Sequence, residues 1–356
     1  MRVLCAVETS FDETGIALCD SAGLMRASLL SSQVELHAPY GGCVPELAAR
    51  THLSDLPQLW RHIEPELTSQ IRHIGVTSGP GLPGCLLAGV NFCRGLAAHY
   101  GLPLYGLNHL QGHIFSPFMG NGSEPGDSLA DIPFPHVALL VSGGHTELFL
   151  VRGVDDIELL GQTQDDAVGE LLDKVSAMLG LGYPGGARLE KLAREHPGMT
   201  ELADYEGEFE LPVPMRSRKY GYNFSYSGLK TAVRNQIHER IGKVQLGSNW
   251  QASLVAALFS SVVESLWFKL ERAVEEHQVS LITASGGVAI NGFIRAAFAD
   301  RAAKLGVNLR VPHPRHCLDN AEMMAWLLKL KLEAGIPPVE FDARSNWVPG
   351  EPGWND

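Results

Sequence analysis

Val3-Leu-Cys-Ala-Val-Glu8-Thr-Ser-Phe-Asp12-Glu13-Thr14-Gly15-Ile-Ala-Leu-Cys19 decides the fold, because its plan is written twice in the chain. The apolar run Val3 to Glu8 reads as a buried strand, Thr9 to Thr14 as a polar turn and Gly15 to Cys19 as a returning strand, which together make a hairpin. The plan recurs at His136-Val-Ala-Leu-Leu140-Val141, Ser142-Gly143-Gly144-His145-Thr146 and Glu147 to Arg152. After helical material, each hairpin is followed by a strand that ends in glycine and opens a helix. These are Ile74 to Ser78 before Gly79-Pro-Gly-Leu-Pro-Gly84, and Leu281 to Ser285 before Gly286-Gly287. Turns rich in Ser, Thr and Gly offer backbone N–H groups that a phosphate can approach without meeting a Cβ. Two such turns, each after an apolar strand, point to a phosphate or adenylate site.

At 356 residues the chain exceeds one ordinary core, so two lobes are expected. The repeat sets their bounds: residues 1–131 as an N-terminal lobe, 132–325 as a C-terminal lobe with a basic insertion at about 187–236, and 326–356 as a helix end with a Pro- and Gly-rich tail along the surface. Duplicated α/β lobes with polar turns facing a common cleft are the plan of the actin, Hsp70 and sugar-kinase (ribonuclease H-like) class, with nucleotide between the lobes. A net charge of −12 argues against a whole surface built for nucleic acid, so any such contact must be local. Six scattered cysteines without a C-x-x-C pair fit reduced thiols, and no apolar run reaches membrane-spanning length; the expectation is a cytoplasmic protein with no membrane partner.

His109-Leu-Gln-Gly-His113 follows the strand-like run Gly101 to Leu107. Two imidazoles four apart share one helix face and can grip a metal ion if a third ligand exists; otherwise they cap a helix or fill a core. In the helix-like stretch Asp165 to Gly180, Asp165, Asp166 and Glu170 read as acids complementing a helix start, whereas Asp173 lies among apolar residues and needs a partner such as a ribose hydroxyl. From Leu211 to Gln236 no acid occurs, and Arg216, Arg218, Lys219, Lys230 and Arg234 interleave with Tyr220, Tyr222, Phe224 and Tyr226. That mixture suits RNA, unless the rings pack a core and the cations are a solvated face. Asp319, at a helix start, reads as a cap or as a carboxylate reaching the cleft.

Taken together, Glu8-Thr-Ser-Phe-Asp12-Glu13-Thr14, Asn108-His109-x-x-Gly-His113, Ser142-Gly-Gly-His-Thr146, Asp173-Lys174, Tyr183-Pro-Gly-Gly186, Phe224-Ser-Tyr-Ser-Gly-Leu-Lys-Thr231, Ser285-Gly-Gly-Val288 and Asp319-Asn320 resemble, in order, the universal tRNA threonylcarbamoyladenosine transferase family, once called glycoproteases. The resemblance implies transfer of threonylcarbamoyl from threonylcarbamoyl-AMP to N6 of adenosine 37 in tRNA. It implies that His109, His113 and Asp319 hold one divalent metal, iron or else zinc, and that Leu140, Val141, Ser142, Gly143, Gly144, Asp173, Gly186, Glu190 and Asn291 line the site for the adenylate or ATP. Asp12 or Glu13 would position the attacking amine or take its proton. A smaller paralogous subunit and a P-loop ATPase would be partners.

The sequence departs from the family pattern at named places. Phe11 stands where the first turn usually has Cys, Gln111 where the metal helix often has Glu, and Ala321-Glu322 where Gly-Ala usually follows Asp-Asn. The last change puts a charge beside the expected ligand Asp319. A metallopeptidase would carry Glu at Leu110, next to the first His. A small-molecule kinase of the same fold, or a non-catalytic scaffold, are the alternatives; the first leaves the His pair without a role and the second leaves the complete His109, His113 and Asp319 set without one.

Overall fold

The computed structural model describes residues 2–40, 42–121, 124–195, 209–240 and 249–351. Part of the expected insertion (196–208) and the last five residues lie outside the described residues. The chain divides into two compact units. One comprises Met1–Phe134, Arg152–Glu158 and Pro312–Asp356; the other comprises Pro135–Val151 and Leu159–Val311.

The first unit is built on strands β1 (Val3–Glu8), β2 (Glu13–Asp20), β3 (Met25–Ser32), β4 (Ile71–Gly79) and β5 (Leu104–Asn108), in the order β3-β2-β1-β4-β5. The second uses β6 (His136–Val141), β7 (Thr146–Val151), β8 (Ile157–Gln162), β9 (Leu281–Ser285) and β10 (Asn308–Arg310), in the order β10-β9-β6-β7-β8. β1 pairs antiparallel with β2 and parallel with β4, and β6 likewise pairs antiparallel with β7 and parallel with β9. The two sheets are therefore copies of one topology, as the sequence repeat predicts. The first turn is shorter than its sequence suggests: Glu13 and Thr14 already pair with Ser32 and Ser31, so only Thr9 to Asp12 turn.

In the first unit the helices are α1 (Val34–His37), α2 (Pro45–Arg61), α3 (Pro65–Thr68), α4 (Pro83–Tyr100) and α5 (His109–Phe115). In the second they are α6 (Val168–Met178), α7 (Gly185–Ala193), α8 (Ser227–Arg240), α9 (Trp250–His277) and α10 (Gly292–Leu305). The last helix, α11 (Ala321–Glu333), spans residue 326 and packs on β1 and β2 of the first sheet. Val3, Cys5, Val7, Ile16 and Leu18 join a core with Leu56 of α2 and Val90 and Cys93 of α4. The alternate residues meet α11: Cys19 donates to the Ala325 carbonyl, and Gly15 leaves room for Ala321. Strands covered on both faces explain why β1 is an unbroken apolar run. In the second unit, Val137, Leu139 and Val141 join α6 and the long α9 in one core. Among the described helices α9 alone is long and apolar enough to cross a membrane, and 78% of its apolar window is buried in that core.

The tail was expected to lie along the surface or to be mobile, and its described part is mostly exposed. That part is tied down along β4 and β5, where Arg344 N–H donates to the Ser78 carbonyl (2.7 Å), Gly81 N–H to the Ser345 carbonyl (3.2 Å) and the Asn108 amide to the Trp347 carbonyl (2.9 Å).

Glu147, in β7, tests the energetics of the second sheet. Its Oε2 is buried without a partner among the described residues, and burial pushes the carboxyl up to about 7. A raised carboxyl favours the fold below its unfolded value, near 4.3, and that contribution is lost as pH rises through 7. The thermal-midpoint advantage of E147Q over wild type is therefore expected to grow between pH 5 and pH 8; a constant difference across that range refutes the account.

Candidate metal centre and nucleotide loop

In the first unit, Asn108 ends β5 and caps α5, its Oδ1 accepting from the N–H groups of Leu110 (2.9 Å) and Gln111 (3.1 Å). The helix thus starts at His109, and the four-residue spacing sets His109 and His113 on one face, ring centroids 4.8 Å apart. Both rings are buried. Two hundred residues later Asn320 caps α11 by accepting from Met323 N–H (2.9 Å). Asn320 takes the capping task that the sequence offered to Asp319, so the Asp319 carboxylate turns to the imidazoles instead. Its Oδ1 lies 2.9 Å from Nε2 of His113 and 3.5 Å from Nε2 of His109, and one ligand atom from each of the three residues falls within 4.8 Å of the others.

Glu8, Ser10 and Thr77 complete the arrangement, and sequence reasoning did not single them out. Glu8 Oε2 accepts from Nδ1 of His109 at 3.2 Å and also from the Thr77 hydroxyl; the Ser10 hydroxyl lies 3.2 Å from the same Nδ1. With Nδ1–H held by a carboxylate, Nε2 is the nitrogen left to face Asp319 and, once it has lost its own proton, to bind a metal, which is how metal-binding histidines are oriented. The available signal was a carboxylate closing an otherwise apolar strand. Burial opposes charge on His109, but Asp319 and Glu8 hold its proton up to about 9; His109 in turn holds Glu8 below the carboxylate range against its burial. Glu13 lies well above that range because it is buried beside Asp12, with Asp319 adding to the effect. Two imidazoles and a carboxylate form a donor set that fits a divalent cation. Gln111 points elsewhere, toward the Val154 carbonyl and Asp155.

In the second unit, Leu140 and Val141 are fully buried at the end of β6, so only their backbones can meet a ligand. The turn beyond them is folded by Ser142, whose N–H donates to the His145 carbonyl (2.8 Å) and whose Oγ accepts from His145 N–H (3.1 Å). Thr146 Oγ1 accepts from Val168 N–H (2.9 Å) and Ser142 O from Gly169 N–H (3.2 Å), which seats the start of α6 on the turn. A Cβ at Gly143 or Gly144 would meet nothing within 4 Å, and neither has positive φ. Asp173 is half-buried and accepts from Gly185 N–H (2.6 Å), next to the partly buried Gly186. Burial pushes its carboxyl up, partly offset by that bond. Asn291 caps α10 through Oδ1 (3.1 Å to Ile294 N–H) and keeps a buried Nδ2 without a partner among the described residues. Glu190 accepts from Arg194 and, at 3.2 Å, from Gly292 N–H, so it braces the Asn291 loop.

Other sequence expectations are corrected here. α6 begins only at Val168, so Asp165 and Asp166 do not serve its dipole. Asp165 instead accepts from Tyr226 N–H (2.6 Å) and the Ser227 hydroxyl (2.7 Å) at the start of α8, and Asp166 pairs with Lys174 (2.7 Å) and Lys230. Phe224 and Tyr226 are fully buried and stacked on one another, so they pack a core. Arg216 faces Glu264 (3.7 Å). The segment lacks acids in sequence but receives them from elsewhere in space; Arg218, Lys219, Tyr220 and Arg234 remain exposed.

A family model described as tRNA N6-adenosine threonylcarbamoyltransferase matches residues 25–326. The chain belongs to this family. It is 40% identical over 326 residues to the tRNA N6-adenosine threonylcarbamoyltransferase of Thermosipho africanus, covering 91% of this chain and 92% of the relative. It is 40% identical over 343 residues to that of Aromatoleum aromaticum, covering 94% and 92%. Among solved structures it resembles HypF of T. kodakarensis (TM-score 0.57, 14% identity, 93% of this chain and 48% of that one). It also resembles component A of (R)-2-hydroxyglutaryl-CoA dehydratase from Acidaminococcus fermentans (TM-score 0.51, 13% identity, 94% and 98%). At such identities the likeness is one of fold, and it agrees with the duplicated actin-like plan. The family is one of acyltransferases that act on tRNA, and the His–His–Asp set fits a divalent metal.

The packing of α6 on the Ser-Gly-Gly turn gives a contrast to measure. A Cβ at Gly169 would lie 2.5 Å from Ser142 O and 2.7 Å from Gly143 Cα. G169A is expected to cost about 1–3 kcal/mol in urea unfolding, as overpacking does, whereas G144A unfolds like wild type. Equal stabilities for the two variants would contradict this packing.

Proposed function

We propose that this chain transfers the threonylcarbamoyl group from threonylcarbamoyl-AMP to N6 of adenosine 37 in tRNAs that read codons beginning with adenine. His109, His113 and Asp319 would hold the metal, and Ser142 to Gly144, Asp173, Gly186, Glu190 and Asn291, with the backbone of Leu140 and Val141, would receive the adenylate. The observation that carries the reading is the convergence of the three ligands, at 2.9 and 3.5 Å, in a chain of this family.

Two imidazoles and one carboxylate suit Fe2+ or Zn2+, and such an ion would supply Lewis-acid polarisation of the carbamoyl carbonyl or phosphate. The chain's own residues do the rest. Glycine at 143 and 144 leaves the turn open, with nothing within 4 Å of where a Cβ would stand, so an external group such as a phosphate can approach the backbone closely. The unpartnered Nδ2 of Asn291 is a buried donor for the same ligand. Asp173, half-buried with one oxygen used, is suited to accept from a ribose hydroxyl.

The mixed anhydride is already activated, so no covalent intermediate is required; AMP leaves as the exocyclic amine attacks and sheds a proton. Burial beside Asp12 pushes the Glu13 carboxyl up, which suits it to position the amine and makes Asp12 the expected proton acceptor. Arg218, Lys219, Tyr220 and Arg234 are the exposed groups offered to tRNA. Dependence on a smaller paralogous subunit and a P-loop ATPase, and a cytoplasmic setting, belong to the same reading.

Mass spectrometry of tRNA nucleosides from a bacterium depleted of its own transferase, supplied with this chain and its partner subunits, tests it. Threonylcarbamoyladenosine should return with wild type and stay at background with H109A; failure of the soluble wild-type chain to restore it sinks the reading. In a purified assay D12N should lose at least 100-fold in kcat while E13Q retains most activity, since general base catalysis is worth about 10²–10⁴-fold. The reverse order would move the base to Glu13.

A further inference from the structure

Glu322 lies three residues beyond Asp319, and its surroundings give it a task. It is 5% exposed in the first turn of α11. Nε2–H of His316, itself 1% exposed, donates to its Oε2 at 2.7 Å, and the Arg315 guanidinium donates to its Oε1. Against the cost of burial, His316, the Ser28 hydroxyl of β3 and Arg315 hold this carboxyl at about 2, so it stays charged. A buried carboxylate satisfied on both oxygens is a rigid anchor, because losing either partner leaves a desolvated charge.

Residue 319 lies midway between the two ends of this clamp, three residues from His316 and three from Glu322. The bridge therefore closes a seven-residue loop with the expected ligand Asp319 at its centre. Within that loop Leu318 is 60% exposed and Asp319 is only partly buried. Asp319 is flanked by the buried Cys317, whose thiol meets the Pro312 and His313 carbonyls, by the Asn320 cap, and by the His316–Glu322 bridge that ties the two ends of the loop together. The neighbouring departure is also accommodated, since Ala321 Cβ sits against the Cβ-free face of Gly15.

We propose that Glu322 is a positioning residue for the metal centre: by bridging back to His316 and Arg315, it holds the loop that presents the Asp319 carboxylate to His109 and His113. The inference rests on the metal reading given above. Residues that orient ligands from behind typically carry 10–100-fold in metal affinity.

The test is the Zn2+ dissociation constant of the purified full-length chain, by chelator competition, with thermal melts run in parallel. E322A is expected to weaken Zn2+ binding 10–100-fold, and E322Q, which keeps one hydrogen bond, by less than tenfold. H316N, which removes the contact from the loop side, should match E322A and should add little to it in the double variant; it also stands in if E322A does not fold. H109A and D319A serve as controls. If both controls lose Zn2+ while E322A and H316N bind it as wild type and merely melt lower, the pair is a stability element and the inference is overturned. If the controls also bind as wild type, the metal reading fails and takes the inference with it.

Discussion

The packing of α11 on β1 and β2 is the constraint on which the first unit depends. Asp319 is separated from His113 by 206 positions, and the second unit occupies most of that interval. Loop closure over such a distance is entropically unfavourable and must be met by burial. From Ala321 to Lys331 every residue of α11 is buried, and the helix touches all three central strands of the first sheet. A single apolar helix thus returns the chain and delivers one carboxylate to the face where α5 begins. The tail continues the same work: the Trp347 carbonyl holds the amide of Asn108, whose other atom caps the histidine helix.

Much of this was legible in the sequence. The repeated hairpins gave both sheets and their common order because buried strands and glycine turns are local signals. The four-residue spacing of His109 and His113 gave their shared face. What could not be read is what depends on distant partners. Asp165 and Asp166 were assigned to the helix that follows them, yet they bind the start of α8 and two lysines; charge balance in a fold is set by spatial neighbours. The acid-free run from 211 to 236 shows the same limit: Glu264, Glu276, Asp165 and Asp166 arrive from other segments to meet part of it, while Arg218, Lys219, Tyr220 and Arg234 stay exposed. Between Asp319 and Asn320, sequence cannot say which side chain caps and which faces the histidines, since either is an accepted cap. Glu8 was hidden by its strand: one polar residue at the end of an apolar run reads as an edge.

The resemblance to a family supplied the list of site residues, and the structure separates them by what each atom can still do. Glu190 is occupied by Arg194 and the backbone of Gly292, so its role is to hold the Asn291 loop. Asn291 retains an unmet donor. Leu140 and Val141 contribute side chains only to the core, and Gly143 and Gly144 contribute the absence of one. These distinctions follow from hydrogen-bond accounting, in which a buried polar atom without a partner is costly and so marks where a ligand belongs.

Charge accounting gives the same answer for the first unit. Glu8 and Asp319 meet the two imidazoles, and Glu13 lies beside Asp12 within reach of Asp319; their repulsion shows in the raised carboxyl of Glu13 and in the opposing influence of Asp319 on Glu8. Carboxylates brought together in a buried place cannot all ionise unless positive charge joins them. A proton on His109 is one such charge, which is why its affinity is raised; a divalent cation is a stronger one. Binding that cation must displace the His109 proton, because a metal needs the Nε2 lone pair. A cation held by this set would therefore compete with the proton for one nitrogen, and Glu8 on the far side of the ring would favour either charge.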